Sequence, residues 1–155
     1  MNNTEKAEGI ALKLLKRRYS RKKLCQKLRE KGFSWEVVQE TANKMEKLGY
    51  INDADYARAY VHDCIFLNKY GPRKIKQSLF GRGISGNITD EALAEYDEEV
   101  HIENIKALLS RFSGGEKISP EDAAKFFRRM ETRGFLRRHI EEVLSAEVID
   151  DYSEV

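Results

Sequence analysis

Two cysteines in 155 residues, Cys25 and Cys64, with no CxxC pair, leave no regular disulfide framework. Each falls on an apolar helical position, where a free thiol behaves as a small buried hydrophobe. No segment approaches the roughly 20 consecutive apolar residues that crossing a bilayer requires. Residues 1–7 are polar and lack the apolar core of a secretory signal. These absences point to a soluble, cytoplasmic chain. Signatures of catalysis are missing too. His62, His101 and His139 occur without an HExxH motif or a neighbouring CxxC. No GxSxG elbow surrounds a serine, and Gly81-Arg82-Gly83 and Gly114-Gly115 lack the lysine and Ser/Thr of a phosphate-binding loop. Asp53 with Asp55, and Asp97 with Glu98 and Glu99, read as caps and first-turn acids of helices. The chain is therefore expected to be no enzyme, and to need no metal or cofactor.

What is abundant is charge, 35% of residues, beside 41% apolar residues that suffice for a core. The net charge of +2 conceals a gradient: residues 1–49 carry +7, residues 50–96 are neutral and residues 97–155 carry −5. Such polarity orients a molecule on a charged partner and says little about its fold.

Helical periodicity dominates the rest. Ile10 and Leu14, beside Ala11 and Leu15, make an apolar face that ends at Arg17 and Arg18. Ser20 reads as the N-cap of a second helix carrying Leu24, Cys25 and Leu28, which Gly32 stops. Ser34 caps a third, expected to bury Val37, Val38, Ala42, Met45 and Leu48 before Gly49. The pattern restarts at Asn52 or Asp53, with Tyr56, Ala57, Tyr60, Val61 and Ile65, then Gly71-Pro72, Ile75, Leu79 and Gly83-Ile84, then Ile88 and Leu93. It restarts again near Asp97, with Ile102, Ile105, Leu108, Leu109 and Phe112. A polar loop over 113–117 leads to Ser119, which with Asp122 resembles a capping box, then Phe126, Phe127, Met130, Gly134-Phe135, Ile140, Val143 and Leu144.

The repeat can be measured. Gly32, Gly83 and Gly134 lie 51 residues apart, each after a basic residue and before a large apolar one. Leu24, Ile75 and Phe126 share one offset, and Leu28, Leu79 and Met130 another. Recurrence in register predicts an all-α fold of three tandem three-helix repeats, 5–49, 50–96 and 97–148, with 149–155 as a C-terminal tail. Units of about 50 residues have thin cores and lean on their neighbours, so an elongated, curved array is expected.

Basic runs recur on matching helices. Lys16, Arg17, Arg18, Arg21, Lys22 and Lys23 surround the first helix junction, and Lys27 extends them with Arg29 and Lys31. Arg73 and Lys74, with Lys76, occupy the middle repeat, and Arg128, Arg129 and Arg133, with Arg137 and Arg138, the last. A lone charge run is usually a solvated face, but its recurrence makes these residues a candidate contact for phosphates or an acidic protein groove. Tyr19, Tyr50, Tyr56, Tyr60 and Tyr70 could stack on bases, but several sit on apolar stripes and are expected in the core.

The residues Gly49-Tyr50-Ile51-Asn52-Asp53, Tyr56-Ala57 and Tyr60-Val61, followed by Gly71, Ile75, Leu79 and Gly83-Ile84, resemble the middle signature of the RecX family, bacterial regulators of the RecA recombinase. Ala11, Leu15, Arg18, Ser20, Leu24, Leu28 and Lys31-Gly32-Phe33 extend the likeness forward, and Arg133-Gly134-Phe135 with Ile140 extend it backward, so that it covers 7–147. This chain has Lys23 where the family often has an acid, and the third repeat is least similar. The resemblance implies a helical arch in the groove of the RecA–DNA filament, restraining ATP turnover, filament growth and strand exchange. It implies a role in DNA recombination, repair and the SOS response, as a monomer away from membranes. The alternative is a sequence-independent protein that grips single- or double-stranded DNA through its basic helices.

Overall fold

The computed structural model describes residues 1–149, so the tail expected over 149–155 lies, beyond Ile149, outside the described residues. Among the described residues the chain forms nine α-helices: α1 (Asn3–Leu14), α2 (Arg21–Glu30), α3 (Trp35–Lys47), α4 (Asp53–Asp63), α5 (Pro72–Gly81), α6 (Gly86–Ala94), α7 (Glu98–Ser113), α8 (Pro120–Thr132) and α9 (Arg137–Ser145). A π-helical turn, Cys64–Asn68, follows α4. An isolated bridge pairs Ile118 with Val148, and no strand forms among these residues.

The helices start and stop where their sequence directs. Ser20, Ser34 and Ser119 each accept a hydrogen bond from the backbone N–H three residues on, at 3.1–3.3 Å. Asn52 does the same for Asp55, so of the two candidate caps it is the asparagine that serves. At the far ends of α2, α5 and α8 one stop recurs. Gly32, Gly83 and Gly134 adopt φ of +94°, +82° and +92°. The following N–H of Phe33, Ile84 or Phe135 returns to the carbonyl of Leu28, Leu79 or Met130. This is the left-handed glycine stop that satisfies otherwise orphaned carbonyls. Its recurrence at a spacing of 51 residues is the sequence repeat made visible.

Contacts gather the chain into two compact units, Met1–Tyr60 with Ser78–Ala92, and Val61–Gln77 with the chain from Leu93 onward. In the first unit Ala11, Leu24, Leu28, Val38, Met45 and Ile51 form a core, with Phe33 packed against it. Leu48, expected inside, is 58% exposed at the C-cap of α3, and it is Ile51, 2% exposed, that joins the core after the Gly49 turn. In the second unit Ile102, Ile105, Phe126, Phe135 and Ile140 are among the residues of the core. Burial of each such side chain contributes about 1.5–3 kcal/mol relative to exposure.

The π-turn has a distinct setting. Lys69 ends it in the left-handed region, φ 53°, and Tyr70 N–H returns to the Cys64 carbonyl. The carbonyl of Ile65 accepts from the buried Asn104 amide at 2.9 Å. Nearby, Gly71 N–H donates to the Arg133 carbonyl and Arg73 N–H to that of Gly134, at 2.8 and 2.9 Å. A Cβ on Gly71 would lie 2.3 Å from the Gly134 carbonyl carbon, so these two backbones meet with no side chain between them.

Candidate partner-binding surface

In the first unit the chain leaves α1 through a turn holding Lys16, Arg17 and Arg18, all exposed, and re-enters helix at Ser20. Ser20 is buried because its hydroxyl works twice, accepting from Lys23 N–H and donating to the Arg82 carbonyl at 3.0 Å. That bond sets the end of α5 beside the start of α2. Lys22 lies along Gly83, whose missing side chain leaves room for its stem. The result is a cleft of about 440 Å³ lined by Arg18, Lys22, Lys23 and Arg82, with Tyr19 and Tyr56 and no carboxylate.

Arg82 is fixed within it. Its guanidinium donates to the Tyr56 hydroxyl at 2.7 Å and sits 4.5 Å from the Tyr60 ring centre. Tyr56 and Tyr60 are parallel, with centroids 6.4 Å apart. Neither tyrosine is fully buried, nor are Tyr19 and Tyr70, and Tyr50 is 56% exposed. The expectation of core tyrosines is corrected: cations pack over the ring faces of Tyr60 and Tyr70 and against the hydroxyl of Tyr56, which keeps these side chains at the surface. Beyond Lys22 a second hollow of about 530 Å³ runs from Arg29 and Trp35 to Gly83, and Trp35 is 61% exposed.

The candidate cations do not all stand free. Arg21 donates to Glu46, Gln39 and Asn43, while its backbone N–H donates to Asp53, so it braces α2 against α3. Lys27 approaches Glu30 at 3.9 Å. By contrast Lys16, Arg17, Arg18, Lys22 and Lys23 have no ion-pair partner among the described residues. In the second unit Arg73 is exposed, and Lys74 places its ammonium 4.1 Å from the Tyr70 ring centre. Arg133 donates to the carbonyls of Asn68 and Lys69 and so holds the π-turn. Arg128 and Arg129 are exposed, with Arg129 5.2 Å over the Phe112 ring. Sequence reasoning missed Trp35 and the role of Arg82; the basic residue before each repeated glycine was the available signal for the latter.

Among the described residues no three His, Cys, Asp or Glu side chains come together as a metal site. His101 and His139 stack with centroids 6.4 Å apart, both buried. Burial, then the neighbouring His139 imidazole, holds the His101 pKa below the ordinary imidazole value. Arg138 pairs with Glu98 and lowers its carboxyl pKa. Burial raises the pKa of the free Cys25 thiol, the opposite of what a reactive thiolate needs.

A family model described as RecX, second three-helix domain, matches residues 52–93. Regulatory protein RecX of Chlorobium phaeobacteroides is 30% identical over 141 residues, covering 90% of this chain and 92% of the relative. This chain belongs to the RecX family. The RecX regulatory proteins of Legionella pneumophila, 34% identical over 139 residues, and Thermus thermophilus, 35% over 130, cover 89% and 83% of the chain, and 92% and 83% of themselves. Crystalline RecX from Lactobacillus salivarius aligns with a TM-score of 0.83 at 27% identity, over 92% of this chain and 95% of that one. The RecX assignment makes the protein a helical member of a regulatory family. No helix among the described residues is long and apolar enough to cross a membrane.

Proposed function

We propose that this RecX-family chain regulates by docking on the RecA–DNA filament, where it restrains ATP turnover, filament growth and strand exchange. The observation that carries the reading is the group of exposed cations at the α1–α2 junction, Arg17, Arg18, Lys22 and Lys23, without ion-pair partners among the described residues. A surface that only needs solubility pairs or intersperses its charges, whereas this one presents a single sign to a partner. The chain acts as a monomer in the cytoplasm, through binding alone, with no cofactor. Its organisation is three repeats, 5–49, 50–96 and 97–148, and contacts made on a polymer of identical protomers add through multivalency.

The test is a pull-down comparing RecA-coated with naked single-stranded DNA, read beside the filament's ATPase. Preferential capture and reduced turnover are expected, and a saturating dose that leaves both ATPase and strand exchange unchanged overturns the proposal. The second reading, direct grip on DNA irrespective of sequence, is favoured by the pairing of Tyr19 and Tyr56 with cations in one cleft. Equal, steeply salt-dependent capture of naked DNA would select it.

A further inference from the structure

Residues 97–155 carry nine Lys or Arg against fourteen Asp or Glu. Five of the nine, Arg111, Lys125, Arg128, Arg129 and Arg133, line one groove of about 670 Å³ between α7 and α8, and no carboxylate does. Random placement on so acidic a segment would have brought acids to the rim. The floor is apolar: Leu108 and Phe112 from α7, Phe126 and Met130 from α8. The walls are helical ridges, with Leu108, Arg111 and Phe112 spaced i, i+3, i+4, and Lys125, Arg128, Arg129 and Thr132 spaced i, i+3, i+4, i+7.

We propose that this groove binds an acidic amphipathic helix of a protein partner, its leucine or phenylalanine side chains on the floor and its carboxylates against the arginine rim. Lys125 to Arg133 extends about 12 Å along α8, roughly two turns of an occupant. A strand of nucleic acid fits less well. Phe126 is 1% exposed and Arg129 covers Phe112, so no ring face is open for a base to stack upon. Among the described residues Arg111, Lys125 and Arg128 make no ion pair, which leaves three cations for the occupant's carboxylates. Arg133 is already spent on the π-turn.

The site lies within the second unit and shares no residue with the cleft of Arg18 and Arg82, and the proposal is tested without any filament. The probe is a fluorescein-labelled peptide of about four helical turns, leucine and phenylalanine at i, i+3, i+4 and i+7 and glutamate elsewhere. Its affinity for the full chain is read by anisotropy. Lys125→Glu with Arg128→Glu should weaken binding by about tenfold or more, and Leu108→Ala several-fold. Lys117→Glu, an exposed cation outside the groove, should leave affinity as it was. A scrambled peptide of equal charge should bind at least about tenfold more weakly than the probe. Equal binding of the scrambled peptide, indifference to the double reversal, or displacement of the probe by an oligothymidylate at comparable concentration would each overturn the proposal. Circular dichroism of every variant confirms that helix content is retained.

Discussion

At the scale of single residues, one conformation meets three environments. Gly32, Gly83 and Gly134 share the left-handed φ that L side chains resist. A Cβ on Gly32 meets nothing within 4 Å, on Gly83 it meets the flexible stem of Lys22, and on Gly134 it lies 2.3 Å from the Lys74 backbone nitrogen. Alanine should therefore cost about 1 kcal/mol at Gly32 from backbone strain alone, and more at Gly134, where backbone must also move. Urea midpoints of the three variants should fall in the order Gly32, Gly83, Gly134, and equal losses would refute this ranking. His101 supplies a second test. Its pKa is depressed in the folded chain, so the unfolded chain takes up the proton first. Its contribution is intact above the ordinary imidazole pKa and is lost as pH falls from there towards the folded value. The melting temperature should drop between about pH 7 and pH 5, and His101→Phe should flatten that drop. An unchanged slope would show that other groups control it.

At the scale of elements, the caps join local and distant structure. Ser20→Ala removes the first orphan-donor partner of α2 and also the bond to the Arg82 carbonyl. The loss should be about 1–2 kcal/mol, larger than for Ser34→Ala, whose serine is exposed. Thermal melts of both variants decide this. Helix starts, glycine stops and the 51-residue repeat were legible in the sequence because each rests on neighbours a few residues apart. The π-turn over Cys64–Asn68 was not, since it is held by Asn104 and Arg133 from distant sequence. For the same reason a list of cations overstated the surface: Arg21 and Arg133 look free in sequence yet are absorbed by Glu46 and by backbone carbonyls. Trp35 escaped notice because it stands in register with the buried Val38, Ala42 and Met45, at i+3, i+7 and i+10, so periodicity alone does not mark its indole, at the first position of α3, as exposed.

At the scale of the whole molecule, segregated charge matters more than net charge. With +7 over residues 1–49, association with a polyanionic partner should weaken steeply as salt rises. Charge reversal at Arg17, Arg18, Lys22 and Lys23 together should lower both the affinity and its salt dependence while circular dichroism stays helical. Unchanged affinity would remove these four from the contact. Trp35→Ala should weaken the same binding by about 1–2 kcal/mol if the indole is an anchor, read by anisotropy at fixed ionic strength. The side-chain-free junction of Gly71 with Arg133 and Gly134 bears on how the chain assembles. It closes a loop of about 60 residues, an entropic expense that local turns do not bear. Such a closure belongs late in folding, so Gly134→Ala should leave the refolding limb of a chevron in place and lift the unfolding limb. The native state would then be lost faster without being reached more slowly.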